Sequence, residues 1–244
     1  MVPNRILERA AKNEKALGLS LTNCSGELVE LAGRMGLDFV DFDGQHSPVT
    51  PAEIGEMCRI ADALGITVMM RIPDGRESTI LSFLDRGVRG ITVPNLLTKE
   101  EAELLVKHTY FAPLGLRSAT SIPTMHSQVD NDSIRLFKDV NANTLLVPQL
   151  ESIVALENLE EILSVEGINY FAAGREDMAQ SLGLPGQPGH SKVTETYEKI
   201  DEKLHAAGKK FIAEVVESVS TFMLTKDAIS KLLKQHGRES KLGW

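Results

Sequence analysis

Two stretches decide the fold: NTLLVPQLES at residues 143–152 and INYFAAGREDM at residues 168–178. Each is a short apolar run that stops at a polar cluster containing one acid, Glu151 in the first and Asp177 in the second. In barrels and in doubly wound sheets, the chemistry gathers at the carboxyl ends of parallel strands. A pair of oxygen ligands there suits a hard cation such as magnesium or manganese, with positions left open for water and substrate. The two stretches therefore indicate an α/β enzyme with a metal site.

Strand-like and helix-like runs alternate along the rest of the chain. The helix-like runs carry start signals, such as the capping boxes formed by Thr50 with Glu53 and by Thr98 with Glu101. This rhythm predicts parallel strands joined by right-handed crossovers. Seven or eight such units in 244 residues favour one TIM-type (β/α)8 barrel of the phosphoenolpyruvate/pyruvate superfamily kind, spanning residues 1–244. The strand-like runs cover residues 17–22, 38–43, 67–72, 90–95, 144–149, 169–174 and 210–216.

The C-terminal part of the predicted barrel is irregular or shortened. Only Glu217 and Ser218 separate the run at 210–216 from a possible eighth strand at 219–225, whereas a parallel crossover needs about a dozen residues. Either the barrel closes irregularly, or residues 219–235 are mostly helix and the eighth strand is missing. We expect an N-terminal helix within residues 1–15 and a C-terminal helix and tail at residues 226–244.

Charge and hydropathy limit the partners. The formal net charge of -8 argues against binding a nucleic acid or an anionic membrane. The N-terminal stretch lacks the apolar core of a signal peptide, and no run approaches the ~18 apolar residues of a membrane span. We therefore expect a cytoplasmic protein with no membrane partner. A long polar connection at residues 112–133 is a candidate functional loop.

Seven motifs occur in a fixed order along the chain and together carry a resemblance to a known family. They are DFDGQHSP (41–48), MMRIP (69–73), FLDRGVRGITVPN (83–95), FAPLGLR (111–117), PQLES (148–152), AAGREDMAQSLG (172–183) and GLPGQPGH (183–190). Over roughly residues 15–212 the sequence resembles the HpcH/HpaI family of metal-dependent class II pyruvate aldolases.

The resemblance assigns roles to five side chains. It implies that Glu151 and Asp177 hold the metal ion, although each acid taken alone also fits the first turn of a helix. It implies that His46 is the general base and that Asp85 raises the basicity of that histidine. It implies that Arg71 stabilises the negative charge that grows on the substrate oxygen.

The resemblance also assigns the substrate contacts and exposes two departures. Gln149 and the turn at Gly174, Arg175 and Glu176 match the residues that bind the pyruvate half, the last through its backbone amide.

The family usually has a glutamate where this chain has Gln45, and a proline where it has Arg175. Both changes predict a less anionic site than is usual. Asp43 remains available as an acid behind the metal ligands.

The function implied is the reversible cleavage of a 4-hydroxy-2-oxo acid to pyruvate, or a close 2-oxo acid, and an aldehyde. The implied cofactor is a divalent cation: Mg²⁺, Mn²⁺ or Co²⁺. One alternative is related 2-oxo-acid enolate chemistry, such as oxaloacetate decarboxylation. Another is a catalytically weakened 2-oxo-acid-binding subunit, which the two departures and the short tail favour and an intact base disfavours. The resemblance further implies a homo-oligomer, commonly a hexamer, with the C-terminal tail docking on a neighbouring subunit.

Overall fold

Eight parallel strands form one curled sheet surrounded by helices. The computed structural model describes residues 3–119 and 132–242, so part of the predicted loop at 112–133 lies outside the described residues. The strands are β1 (Ala16–Leu21), β2 (Phe39–Asp43), β3 (Thr67–Arg71), β4 (Gly90–Val93), β5 (Leu145–Leu150), β6 (Tyr170–Ala173), β7 (Lys210–Phe211) and β8 (Val216–Ser220).

The described helices alternate with these strands. Two of them begin at the capping boxes that the sequence predicts, at Thr50 and at Thr98. The helices are α1 (Arg5–Ala11), α2 (Gly26–Arg34), α3 (Pro51–Leu64), α4 (Glu77–Leu84), α5 (Lys99–Thr109), α6 (Ser133–Ala142), α7 (Ile153–Glu157), α8 (Leu159–Leu163), α9 (Arg175–Ser181), α10 (Ser191–Ala206) and α11 (Thr221–Gln235).

The strand order around the sheet is β7-β6-β5-β4-β3-β2-β1-β8, and every pairing is parallel. From β1 to β7, strands that follow one another in sequence are therefore neighbours in space, while β8 pairs with β1, and the carboxyl ends of all eight point to one rim. The predicted TIM-barrel-like α/β fold is confirmed. Its two edge strands, β7 and β8, meet at the closure of the barrel.

Alternation along the strands separates two cores. Inward-facing Phe39, Met69 and Val147 pack with Ile6 from α1 in the interior of the barrel. The intervening residues of the strands, such as Val40 and Met70, face outward into the larger core beneath the helices. This is the period of two expected for strands that are buried on both faces. The inward positions nearer the rim carry polar side chains, so the same alternation builds the site.

The N-terminal helix closes the amino end of the barrel. Asn4 is fully buried, and its side-chain oxygen caps α1 by accepting from the amides of Ile6 and Leu7. Its side-chain nitrogen donates to the carbonyls of Arg89 and Asn143, which lie before β4 and β5. One buried amide thus fastens α1 across two strand connections. The helix predicted within residues 1–15 spans Arg5–Ala11.

The barrel closes irregularly, one of the two alternatives left open by the sequence. The strand predicted at 210–216 is two strands, because a 3-10 turn at Ile212–Glu214 interrupts it. The predicted eighth strand at 219–225 was also wrong in its bounds: β8 pairs with β1 from Val216 onward. Ser220 then caps α11 by accepting from an amide of its first turn, which converts residues 221–225 to helix.

This closure leaves one side of the single chain uncovered. Residues 212–215 cannot hold a crossover helix, which needs about ten to twelve residues. On the outer face of β8, Val219 is 48% exposed, and no residue of α11 is buried. Several large apolar side chains of α11 are exposed, among them Phe222, Leu224, Ile229 and Leu232. None of the described helices is long and apolar enough to cross a membrane.

Candidate active site

Four of the predicted site residues lie along the carboxyl rim of the barrel, whereas Asp85 lies at the C-terminal end of α4, in the connection that leads into β4. Asp43 and Arg71 are the last residues of β2 and β3. Glu151 directly follows β5, and Asp177 lies in the first turn of α9, just after β6. Because all these strands are parallel, their ends converge on one mouth, which is where TIM-barrel enzymes place their chemistry.

Glu151 is a buried carboxylate at the centre of this rim, only 3% exposed. Its Oε1 accepts from the backbone amide of Asn95 at 2.7 Å, and its Oε2 accepts from Gln149 Nε2 at 2.9 Å. Asn95 reaches this position in the left-handed conformation, with φ 57°, which asparagine tolerates better than most residues. The two hydrogen bonds fix both carboxylate oxygens.

Four predicted residues act on one another electrostatically here. Burial raises the pKa of Glu151, the amide of Asn95 lowers it, and the nearby carboxylate of Asp177 raises it further. Arg71 and His46 both lower the pKa of Glu151 by favouring its charged form. Glu151 therefore lies within electrostatic reach of Asp177, Arg71 and His46.

The residues present fit a divalent cation. Glu151 and Asp177 repel each other, and Glu151 is also shielded from water, so a bound cation would relieve an unfavourable arrangement of charges. Asp177 is exposed and accepts from Gln180 Nε2 at 3.3 Å, leaving oxygen lone pairs free for a ligand. An all-oxygen pair with solvent on one side suits a hard cation that keeps open positions.

Asp43 joins the predicted arginine to the loop that carries the predicted base. Arg71 Nε donates to Asp43 Oδ1 at 2.9 Å, and Arg71 Nη2 donates to Asp43 Oδ2, a bidentate pair. The same Oδ1 accepts from the backbone amides of Gln45 and His46. Partial burial alone would raise the pKa of Asp43, but Arg71 and the two amides hold it below its ordinary value. Asp43 thus sets the positions of both Arg71 and the turn at residues 44–46.

Asp85 has a partner that the sequence did not suggest. Arg117 Nη2 donates to Asp85 Oδ1 at 2.8 Å, and the Arg117 side chain is only 2% exposed. Burial lowers the pKa of Arg117, and Asp85 opposes that shift by stabilising the guanidinium. Arg117 ends the FAPLGLR motif, so its place in that motif was the available signal. The assistance of Asp85 to His46, whose side chain is exposed, stays a prediction.

The turn after β6 is held by a tyrosine that the sequence analysis missed. Tyr197 on α10 donates its hydroxyl to the carbonyl of Leu150 at 2.8 Å, and this hydroxyl accepts from the amide of Gly174 at 3.0 Å. One phenol therefore ties the end of β5 to the turn that precedes Asp177. Its signal in the sequence was only an aromatic residue on the buried stripe of a helix.

Arg175 points away from the turn that it begins. Its Nε donates to the carbonyl of Pro188, its Nη2 donates to Thr194 Oγ1, and its guanidinium lies over the ring of Tyr197. These contacts hold the guanidinium against the start of α10. The side chain therefore packs the helix onto the turn and does not face Glu151. Glu176 is exposed at the start of α9.

The rim of this TIM-barrel-like fold carries a buried acid, a second acid and an arginine held by a bidentate ion pair. This combination is typical of one class of protein: barrel enzymes that use an oxygen-ligated metal at the carboxyl ends of the strands. The profile of the HpcH/HpaI aldolase/citrate lyase family matches residues 17–243. The chain therefore belongs to this family, and the resemblance predicted from the motifs is confirmed.

Relatives and solved structures agree with this membership. The chain is 30% identical over 212 residues to 2-keto-3-deoxy-L-rhamnonate aldolases of Escherichia coli and Salmonella gallinarum, covering 86% of this chain and 78% of each relative. It resembles the HpcH/HpaI aldolase of Desulfitobacterium hafniense with a TM-score of 0.86 at 22% identity, covering 97% and 98% of the two chains. It also resembles macrophomate synthase, with a TM-score of 0.82 at 22% identity, covering 97% and 91% of the two chains. At these identities the structural likeness supports the fold alone.

Replacing Gly174 with alanine should loosen the metal site. A Cβ at this position would overlap Glu151 Oε2 and lie 2.7 Å from the Glu151 Cβ, so the buried carboxylate must shift. We expect the affinity for Mn²⁺, measured by titration calorimetry, to fall ~10-fold or more, the usual effect of disturbing the support of a metal ligand. Gly189→Ala is the matched control, because nothing lies within 4 Å of its added Cβ. Equal affinities in the two variants would contradict the role given to Glu151.

Proposed function

We propose that this protein is a divalent-metal-dependent aldehyde-lyase that reversibly cleaves a 4-hydroxy-2-oxo acid to pyruvate, or a close 2-oxo acid, and an aldehyde. The single observation that carries the proposal is the buried Glu151 with Asp177, Arg71 and His46 acting on it. The curated relatives act on 2-keto-3-deoxy-L-rhamnonate, which has the required 2-oxo group. A 2-keto-3-deoxy sugar acid is accordingly the substrate class that we propose.

Arg71 stabilises the charge that develops in this reaction. Breaking the bond between C3 and C4 leaves an enolate, so negative charge grows on the former keto oxygen. The guanidinium is permanently charged and is already oriented by Asp43 on its other edge. A donor that is fixed before the reaction loses little energy to reorganisation during it. When bound to Glu151 and Asp177, the cation supplies Lewis acidity toward the same oxygen.

His46 removes the proton from the 4-hydroxyl group. Its exposed ring stands at the mouth of the barrel, on a turn fixed by Asp43, and it acts electrostatically on Glu151. A histidine suits this step because its ordinary pKa lies close to neutral pH. The pyruvate half is held by Gln149 and by the backbone of the turn at residues 174–176. This division separates the hydroxyl proton from the enolate charge.

Decarboxylation of oxaloacetate is the second activity that this arrangement supports. It passes through the same enolate, so Arg71 and the carboxylate pair serve it equally, and it has no hydroxyl proton to remove. A subunit that only binds 2-oxo acids is less well supported. Of the two departures that favoured it, Arg175 directs its charge to α10 and leaves the surroundings of Glu151 unaltered.

We also propose that the protein assembles as a homo-oligomer. The family resemblance implies such an assembly, commonly a hexamer. The support lies in α11, where no residue is buried although several are large and apolar. An exposed apolar helix of this kind marks an interaction surface more often than a free one. The C-terminal segment is the part that docks on a neighbouring subunit.

Removing the metal should abolish cleavage. After dialysis against a chelator, release of pyruvate from a panel of 4-hydroxy-2-oxo acids should stop, and Mg²⁺, Mn²⁺ or Co²⁺ should restore it. Glu151→Gln should require a much higher cation concentration, because it removes the buried charge. Full activity in excess chelator, with no metal in the purified protein, would show that the reaction does not depend on a cation.

His46→Ala should separate the two activities. Aldol cleavage should fall ~10² to 10⁴-fold with loss of the general base, while oxaloacetate decarboxylation should retain much of its rate. Arg71→Ala should lower both by ~10² to 10³-fold, because both pass through the enolate. His236→Ala, at the exposed end of α11, is the matched control. Equal losses of both activities in His46→Ala would contradict the division of roles.

Exposed apolar residues on α11 should control the assembly. Light scattering of the wild-type protein should give the mass of an oligomer at micromolar concentrations. Ile229→Glu with Leu232→Glu should shift the mass to that of a smaller species, since charge in an apolar contact is costly. Lys231→Glu, on the same helix, is the control for charge alone. A monomeric wild-type protein would refute the assembly.

A further inference from the structure

A cavity inside the barrel lies below the candidate active site. Its volume is ≈ 340 Å³, and it is lined on the rim side by Asp43, Arg71 and Gln149. Its lining also includes Thr92, which is paired with Arg71 in the strand register, and Asp41 and Ser218. TIM barrels normally fill this space with layers of bulky branched side chains. Here a polar chamber connects the residues of the site to the interior.

Small side chains at inward positions leave this space open. Ser20 occupies one on β1, Ala172 one on β6 and Ser218 one on β8, and the irregular closure places Ile212 and Val216 in the lining. A polar cavity this large takes up water. The side chain of Gln149 supports the presence of water here. Gln149 is only 5% exposed, and its Nε2 donates to Glu151. Its Oε1 is buried and has no hydrogen-bond partner among the described residues. Water in the chamber would satisfy that oxygen.

Asp41 is the one carboxyl group of the chamber that the proposed mechanism does not use. It faces inward on β2, two residues before Asp43, and its Oδ2 accepts from Ser20 Oγ at 3.4 Å. Ser20 Oγ lies 3.1 Å from Ser218 Oγ. Three polar side chains on neighbouring strands thus line up across the lower part of the chamber.

The surroundings of Asp41 keep a proton available at neutral pH. Burial raises the pKa of Asp41 to about 7, with the charge of Asp43 raising it further and Arg71 lowering it. The groups facing it from β1 and β8, Ser20 and Ser218, carry no charge. Asp41 is therefore neutral below about pH 7 and becomes a carboxylate above it. A group near its midpoint can both give and accept a proton.

We propose that Asp41, acting through water in the chamber, supplies the proton that converts the enolate to pyruvate. The inference rests on the proposed function and concerns a step that the residues at the mouth do not cover. His46 takes the proton from the 4-hydroxyl at the outer side, while carbon C3 of the enolate must gain one. The chamber opens onto Arg71 and Gln149, which are the residues assigned to the enolate and the pyruvate half.

The step balances in protons and electrons. As the bond between C3 and C4 breaks, its electron pair forms the enolate, and the hydroxyl proton passes to His46. A water molecule then gives a proton to C3, forming the methyl group, and regains one from the Asp41 carboxyl, which becomes a carboxylate. Solvent later returns a proton to Asp41 and removes one from His46. In the direction of synthesis, the Asp41 carboxylate accepts the proton through the same water.

Exchange of the pyruvate methyl protons with deuterium tests the relay directly. Nuclear magnetic resonance in deuterated buffer should give a wild-type exchange rate that rises with pH through about 7, as the carboxylate form of Asp41 appears. Asp41→Asn should lower the exchange ~10²-fold and remove this inflection. Asp201→Asn, on the exposed face of α10, is the matched control. Circular dichroism should establish that each variant is folded.

Infrared titration of the metal-free protein supplies a readout independent of activity. Buried carboxyl groups such as Glu151 also contribute to the carbonyl band of protonated carboxyls, so the two proteins are compared. The component of the band that titrates near pH 7 in the wild-type protein should be missing in Asp41→Asn. Ser20→Ala should move the midpoint upward, because the Ser20 hydrogen bond favours the charged form of Asp41.

The outcomes separate the two proposals. Wild-type exchange rates in folded Asp41→Asn, or a carboxyl component that titrates near pH 7 in this variant with the wild-type amplitude, would overturn the relay and leave the lyase activity standing. A wild-type protein that neither exchanges pyruvate protons nor cleaves any 4-hydroxy-2-oxo acid would overturn both.

Discussion

The burial of Glu151 is the constraint on which the rest of the site depends. Shielding a carboxylate from water costs several kcal/mol, and hydrogen bonds to a charged group each return ~1.5–3 kcal/mol. The amide of Asn95 and the side chain of Gln149 therefore offset much of the cost, but the neighbouring Asp177 adds repulsion. The pKa of Glu151 stays raised as a result. A cation at this point removes both the repulsion and the reason for the carboxylate to take up a proton.

The register of the strands and the turn after β6 position the groups that surround Glu151. Inward positions along β2, β3 and β5 bring Asp43, Arg71 and Gln149 into the lining of one cavity, with Asp43 and Arg71 directly paired in the register. The turn after β6 must pass close to Glu151, and only a residue without a Cβ fits at Gly174. Tyr197 then holds this turn against the end of β5. Packing outside the barrel thus determines where the exposed carboxylate of Asp177 lies relative to the buried carboxylate of Glu151.

How much of this could be predicted from sequence depends on the kind of residue. Polar groups at strand ends, such as Glu151, could be placed on the rim because strand polarity fixes their position once the alternation is recognised. Long side chains could not: Arg175 and Arg117 reach partners set by packing of α10 and of the connection after α5. The bounds of β7 and β8 failed for a related reason. β7 has only two residues and therefore no period, and β8 begins soon after the 3-10 turn, so pairing with β6 and with β1 sets their bounds.

The charge balance of the rim shows that the departures from the family pattern leave Glu151 and Asp177 able to hold a cation. The positive charge of Arg71 is largely neutralised by Asp43, its bidentate partner. Arg71 therefore offsets the negative charges of Glu151 and Asp177 only in part. Arg175 is engaged on α10 and contributes little there. Glu151 and Asp177 then leave close to two uncompensated negative charges facing the mouth. This excess of negative charge equals the charge of one divalent cation. Glu151 and Asp177 supply it without the glutamate that the family usually has at the position of Gln45.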